Sequence, residues 1–121
     1  MLTALARLFR PKPPEPAWEP AWLDVATLRR QLASAVPPLV LDVRGADEFT
    51  GPLGHIEGAL NVPLPELAGH RDEIVAAGRP IVCICLTDKR SSAASAQLAG
   101  WGIEDVTVLR GGMKAWREAG L

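Results

Sequence analysis

A cysteine that closes an apolar stretch and precedes a helix start is the feature of this sequence best suited to chemistry. Cys85 follows the apolar residues 81–84 and is separated by four residues from Arg90, after which Ser91 and Ser92 open a helical pattern. A turn from a strand end to a helix start leaves backbone N–H groups without partners and directs them at one point, together with the positive end of the helix dipole. Such a point favours negative charge, so we expect the nucleophilic thiolate of Cys85 to be populated near neutral pH.

Length, charge and cysteine content limit the number of domains, the partners and the cellular compartment that this sequence allows. A chain of 121 residues builds one compact core and is too short for two domains of ordinary size. Its net charge of −1 gives no general attraction to nucleic acid or to an anionic membrane. The two cysteines, Cys83 and Cys85, are separated by one residue on a strand and cannot form a loop-closing disulfide. The composition therefore favours a cytoplasmic protein in a reducing compartment, without a nucleic-acid partner.

The first 20 residues are predicted to precede the domain, which then covers residues 21–121. Residues 1–10 place apolar side chains at helical spacing, and five prolines between positions 11 and 20 favour an extended linker because they fix φ and remove N–H donors. The short helix suits either a membrane anchor or partner-docking element, or a frayed or core-docked terminus. The second interpretation is preferred, because so short an amphipathic helix binds membranes weakly.

Strand and helix patterns alternate through the rest of the chain. Strands are predicted at residues 39–43, 59–63, 81–85 and 106–109. Helices are predicted at residues 25–32, 66–77 (as one helix or a broken pair), 92–98 and 113–119, with a single turn at 46–50. Short β-branched strands that alternate with helices are typical of an α/β fold in which a mostly parallel sheet is covered on both faces.

Four motifs in order carry a resemblance to a known family. They are Asp42-Val43-Arg44 with Glu48-Phe49, the stretch GHIEGALNVP at residues 54–63, the loop that begins at Cys85, and LRGGMKAW at residues 109–116. Together they resemble the single-domain rhodanese-like sulfurtransferases, from about residue 22 to the C-terminus. The resemblance implies a three-layer α/β/α fold with a central, mostly parallel five-stranded sheet.

The resemblance also implies a reaction and a set of site residues. In that family the cysteine heads a six-residue loop, accepts a sulfane sulfur from a small anionic donor such as thiosulfate, and passes it from a persulfide to cyanide or a thiol. Cys85 would be the catalytic nucleophile, with Arg90 as the principal cation, and no metal or organic cofactor is implied. Arg44 would shape or charge the pocket. The positions expected to contact the donor or stabilise its charge are Leu86, Thr87, Asp88, Lys89, Arg90 and Ser91.

Loop length separates this interpretation from the nearest alternative. Cysteine phosphatases have five residues between the cysteine and the arginine, which leaves room for a tetrahedral oxyanion. The four residues between Cys85 and Arg90 favour a sulfur atom over a phosphoryl group.

Two loop positions depart from the family's pattern. Asp88 stands where many members have glycine, and Leu86 stands where a basic residue often follows the cysteine. Asp88 would add negative charge near the thiolate and lacks the freedom of glycine at positive φ. These departures leave open an alternative in which the domain is a catalytically weak binding or regulatory module.

Other polar residues near these motifs have structural interpretations. Arg44 could form a salt bridge with Glu48, and Asp42 could cap neighbouring N–H groups, instead of serving the pocket. His55 is expected to pack within its loop and Cys83 within the core, because sulfur transfer to a preformed thiolate needs no base and unpaired cysteine is usually buried. The pair Gly111-Gly112 is expected at the rim of the site, where glycine permits close backbone approach.

Overall fold

The computed structural model describes residues 18–121, so the helix predicted for residues 1–10 lies outside the described residues, as does most of the linker. Within the described range the strands are β1 (Ala21–Leu23), β2 (Leu39–Asp42), β3 (Leu60–Asn61), β4 (Ile81–Ile84) and β5 (Val106–Leu109). The helices of the same range are α1 (Val25–Leu32), α2 (Ala46–Phe49), a 3₁₀ helix (Leu64–His70), α3 (Arg71–Ala76), α4 (Lys89–Gly100) and α5 (Gly112–Glu118).

The strands form one sheet in the order β1-β5-β4-β2-β3, and every neighbouring pair is parallel. This confirms the predicted α/β fold with a five-stranded parallel sheet. Four strands lie within two residues of their predicted bounds, whereas β1 was not predicted. β1 is an edge strand of three residues, of which only Leu23 is buried. So short a strand has no alternation of apolar and polar residues by which the sequence could indicate it.

Side chains of the central strands alternate between two apolar cores, one on each face of the sheet. On β4, Ile81 and Cys83 contribute to the core beneath α3, α4 and the 3₁₀ helix. Val82 and Ile84 contribute to the core beneath α1 and α5. Each fully buried side chain of this size stabilises the fold by about 1.5–3 kcal/mol relative to exposure. The arrangement is the predicted three-layer α/β/α architecture.

The helix bounds refine the sequence prediction at two places. The segment predicted at residues 66–77 is a broken pair, a 3₁₀ helix followed by α3, and it ends before Gly78 at a φ of +60°. The helix predicted from residue 92 begins earlier, at Lys89, because the carbonyl of Asp88 already accepts the Ser92 N–H at 2.9 Å. Lys89, Arg90 and Ser91 therefore belong to the first helical turn of α4. Among residues 18–121, no helix has the length and apolar character needed to cross a bilayer.

Candidate active site at the Cys85 loop

The candidate nucleophile lies between a buried strand and the start of a helix. Cys85 directly follows β4, at the carboxyl edge of the parallel sheet, where open α/β folds place their ligands. Three residues then lead to Lys89, the first residue of α4. Cys85 is buried, with 1% of its surface exposed, so its sulfur lies beneath the protein surface.

Ser91 provides both polar contacts of the Cys85 sulfur within the described residues. Its backbone N–H donates to Sγ at 3.4 Å, and its hydroxyl oxygen lies 3.2 Å from the same atom. The hydroxyl is also 3.2 Å from the carbonyl oxygen of Asp88, so its single proton can be donated to either acceptor. An N–H in the first turn of α4 favours an anion, because the helix dipole is positive there. The contact suits a charged sulfur.

The opposite side of the loop is bound to the start of α5. The carbonyl of Cys85 accepts the Met113 N–H at 2.9 Å, and the carbonyl of Leu86 accepts the Lys114 N–H at 3.1 Å. Gly112 lies beneath them at a φ of +57°, where a Cβ atom would collide with the carbonyl oxygens of Cys85 and Thr87. A peptide N–H points away from its own carbonyl. Carbonyls turned towards α5 therefore direct the loop's N–H groups away from it, and the predicted close approach at Gly112 is confirmed.

Arg90, the expected principal cation, is engaged by a carboxylate. Its two terminal nitrogens donate to the two oxygens of Glu48 at 2.6 and 2.9 Å, and the Gly45 N–H donates to the same carboxylate at 3.2 Å. The hydrogen bonds from Arg90 lower the pKa of Glu48 to about 2, and the same pair raises the pKa of Arg90. Glu48 is thus a site residue that the sequence analysis did not assign, although it lies within a matching motif.

Arg44 is buried among protein acceptors. Its guanidinium forms an ion pair with Asp42 at 2.7 Å and donates to the carbonyls of Glu48 and Gly54 at 3.2 and 2.7 Å. The predicted salt bridge to the Glu48 side chain is wrong, because that carboxylate binds Arg90 instead. The predicted cap is confirmed, since Asp42 accepts the backbone N–H of Arg44 at 3.1 Å. With 1% of Arg44 exposed, the geometry supports the structural alternative for this residue.

The rest of the loop faces solvent to different degrees. Leu86, Thr87 and Lys89 are exposed, and Asp88 is half-buried. The φ of Asp88 is −150°, so this position does not use the positive φ at which glycine would have the advantage. The guanidinium of Arg110 lies over the ring of Trp22, 4.4 Å from the ring centroid.

Two residues with possible chemical roles are confirmed as packing residues. Cys83 has no exposed surface, and burial, with a smaller effect of Cys85, raises the pKa of its thiol to about 12. It is therefore a neutral core side chain. The ring of His55 stacks on Phe49 with centroids 3.6 Å apart, and its Nδ1 lies 2.8 Å from the Phe49 carbonyl oxygen.

Comparison with known proteins places this arrangement in a family. The family model described as "Rhodanese-like domain" matches residues 24–119. The thiosulfate sulfurtransferase GlpE of Shewanella oneidensis is 35% identical over 92 residues, which cover 74% of this chain and 85% of that protein. The uncharacterized protein YqhL of Bacillus subtilis is 38% identical over 77 residues, 64% of this chain. An HTH-type transcriptional regulator of Mycobacterium tuberculosis, Rv0324, is 40% identical over 101 residues.

The length of these relatives varies. The match spans 59% of YqhL and 40% of the transcriptional regulator. Among solved structures, a rhodanese-related protein from Thermoplasma volcanium superposes with a TM-score of 0.71 at 28% identity, covering 83% of this chain and 93% of that one. The rhodanese-like domain of an Anabaena protein gives the same TM-score at 31% identity, covering 85% and 76%. The fold and the family thus agree.

Proposed function

Since the chain belongs to the rhodanese-like domain family, we propose that it is a sulfurtransferase. It moves a sulfane sulfur from thiosulfate or a similar small anionic donor to cyanide or a thiol, through a persulfide on Cys85. The observation that carries this proposal is the sulfur of Cys85 within 3.4 Å of the Ser91 N–H, at the start of α4. GlpE, a relative in which most of the protein is matched, bears the name thiosulfate sulfurtransferase.

The reaction has two steps in which charge is conserved. The thiolate of Cys85 attacks the outer sulfur of thiosulfate, a sulfur–sulfur bond forms, and the bond to the central sulfur breaks with release of sulfite. Cyanide or a thiolate then attacks the outer sulfur of the persulfide and regenerates the thiolate. The Ser91 N–H can donate a hydrogen bond to the anionic sulfur in both the thiolate and the persulfide form of Cys85, so little reorganisation of the loop is needed between the two steps. The proposal assigns the contacts with donor oxygens to exposed Thr87 and Lys89.

The proposal places this chemistry in the cytoplasm. Both cysteines are free, and a thiol that cycles through a persulfide requires surroundings that do not oxidise it irreversibly.

A second candidate, a binding or regulatory module, is favoured by one observation. Cys85 is 1% exposed, so its sulfur is poorly accessible to a bulky acceptor. One of the relatives is named as a transcriptional regulator, which is compatible with a domain that binds a ligand or partner without catalysing sulfur transfer. In that case the substitution Asp88→Gly would raise a negligible transferase activity strongly.

Turnover assays with matched variants separate the two candidates. Thiocyanate formation from a sulfane donor and cyanide is measured for the wild-type chain, Cys85→Ser, Cys83→Ser and Asp88→Gly. Sulfurtransferase function predicts activity in the wild type, loss in Cys85→Ser, and retention in the folded control Cys83→Ser. Activity that is absent from the wild type and appears in Asp88→Gly would favour the regulatory module instead.

A further inference from the structure

The charges of the Cys85 loop and of Glu48, the carboxylate bound to it, sum to zero. The guanidinium of Arg90 is bound through two hydrogen bonds to the carboxylate of Glu48, at 2.6 and 2.9 Å. The remaining charged side chains of the loop are Asp88 and Lys89, of opposite sign. The loop and its bound carboxylate therefore carry no net positive charge apart from the N–H groups. A dianion gains less from such a loop than it would from an unpaired arginine.

Two further hydrogen bonds hold Glu48 in place for this contact. Glu48 lies on α2, and the Gly45 N–H holds its carboxylate from the start of that helix. The buried Arg44 binds the carbonyl of Glu48 at 3.2 Å and so fixes the end of α2 against the sheet. The hydrogen bonds from Arg90 hold the pKa of Glu48 at about 2, so the carboxylate stays ionised throughout the working pH range.

The residue that follows Cys85 in the loop is apolar and exposed. Leu86 directly follows Cys85 and is 39% exposed, although a leucine gains stability from burial. The neighbouring Thr87 is exposed as well. A donor with an organic group next to its sulfane sulfur could cover the Leu86 side chain, whereas thiosulfate presents only oxygens there. Charge cancellation and the exposed leucine therefore favour the same kind of donor.

We propose that the loop takes sulfane sulfur from monoanionic donors that carry an organic group, organic thiosulfonates and persulfides, in preference to the thiosulfate dianion. Glu48 sets this preference as a positioning residue that acts through Arg90. The inference rests on the proposed sulfur transfer through Cys85. With methanethiosulfonate, the thiolate attacks the terminal sulfur, a sulfur–sulfur bond to Cys85 forms, the bond to the sulfonyl sulfur breaks, and methanesulfinate leaves with the electron pair. One negative charge stays on the persulfide and one on the sulfinate.

Two donors that differ in charge but share the transferred atom test the proposal. Steady-state kinetics with thiosulfate and with methanethiosulfonate, each with cyanide as acceptor, give kcat/KM for the wild type, Glu48→Gln, Glu48→Asp and Asp47→Asn. The control Asp47→Asn removes one charge from the same helix, at an exposed side chain. The wild type is expected to prefer methanethiosulfonate. Glu48→Gln is expected to reduce that preference about two- to fivefold, through a lower KM for thiosulfate, since exposed ion pairs have effects of this size.

The control variants and a third donor, benzenethiosulfonate, make the outcome specific. Asp47→Asn should leave the ratio between donors within about twofold, and Glu48→Asp, which keeps the charge, should stay closer to the wild type than Glu48→Gln. Replacing Leu86 with alanine should lower kcat/KM for benzenethiosulfonate about threefold or more relative to kcat/KM for thiosulfate, because only the former buries apolar surface.

Three results would overturn the inference. The first is a wild type that prefers thiosulfate, and the second is a Glu48→Gln variant in which both donors lose activity equally, as expected of a purely structural contact. The third is a wild type inactive with every donor, which would remove the proposed function as well. Activity with either donor, lost in Cys85→Ser, keeps the proposed function whatever the order of preference.

Discussion

Replacing Gly112 with alanine should damage the Cys85 loop far more than it damages the rest of the fold. At the φ of +57° found here, a residue other than glycine costs about 1–2 kcal/mol. The added Cβ would also collide with the carbonyl oxygens of Cys85 and Thr87 and lie 2.7 Å from the Leu86 carbonyl carbon. Because these atoms are backbone, the loop and the start of α5 must separate.

That separation breaks the two hydrogen bonds by which α5 holds the loop, Met113 N–H to Cys85 O and Lys114 N–H to Leu86 O. Each such bond contributes about 1 kcal/mol. With the backbone strain, the free energy of unfolding should fall by about 3–4 kcal/mol. A shift of about 1 Å in a catalytic loop costs on the order of a hundredfold in rate, so sulfur transfer per folded molecule should fall by about that factor.

Gly102→Ala is the matched control for this substitution. Gly102 has a φ of +87°, and a Cβ there meets nothing within 4 Å, so it isolates backbone strain without collision. Urea denaturation should give a loss of about 1–2 kcal/mol for this control. Its sulfur transfer, measured as thiocyanate formation corrected for the folded fraction, should match that of the wild type. If Gly112→Ala loses no more stability or activity than Gly102→Ala, the reasoning about the loop's support is refuted.

Three further substitutions or conditions test the surroundings of the loop. Arg44→Met should lower the free energy of unfolding by about 3–5 kcal/mol in urea denaturation, because it leaves the buried Asp42 carboxylate uncompensated; a loss below 1 kcal/mol would contradict that. Cys83→Ala should retain the wild-type rate of sulfur transfer, since this thiol is neutral and buried, and a strong rate loss in a stable variant would argue for a chemical role. The Glu48–Arg90 pair has a lowered carboxyl pKa, so its stabilisation is present above the ordinary pKa of 4.5 and is lost as pH falls towards about 2. Screening of this half-exposed pair limits the effect to about 1 kcal/mol, and denaturation of Glu48→Gln between pH 5 and pH 2 should lack that component of the acid sensitivity.

Sequence reasoning identified most of the architecture because the informative strands are buried on both faces. Continuous apolar runs at β2 and β4 mark the centre of a parallel sheet, and both lie within one residue of their predicted bounds. The edge strand β1 escaped prediction because its pairing partner, β5, lies more than 80 residues away in sequence. Pairing of this kind depends on tertiary contacts, which local pattern does not encode.

The difference between local pattern and tertiary contact also explains which features of the site could be predicted from the sequence. The position of Cys85 follows from local sequence, as a strand end directly before a helix start. The partner of Arg90 does not, because Glu48 precedes it by 42 residues and is nearer in sequence to Arg44. Local spacing suggested the wrong pair, and the fold joined α2 to the start of α4 instead. The N–H groups of α5 that donate to the loop's carbonyls were likewise indicated in the sequence only by the pair Gly111-Gly112.

Direct detection of the sulfur bound to Cys85 tests the central claim most closely. The wild-type chain and Cys85→Ser are exposed to thiosulfate or to methanethiosulfonate, freed of donor, and analysed by intact mass and by mapping of alkylated peptides. The wild type should gain the mass of one sulfur atom, located on Cys85 and not on Cys83, and should lose it on addition of cyanide, while Cys85→Ser should gain none. A folded wild-type chain that gains no sulfur from either donor, or that carries it on Cys83, would contradict the account.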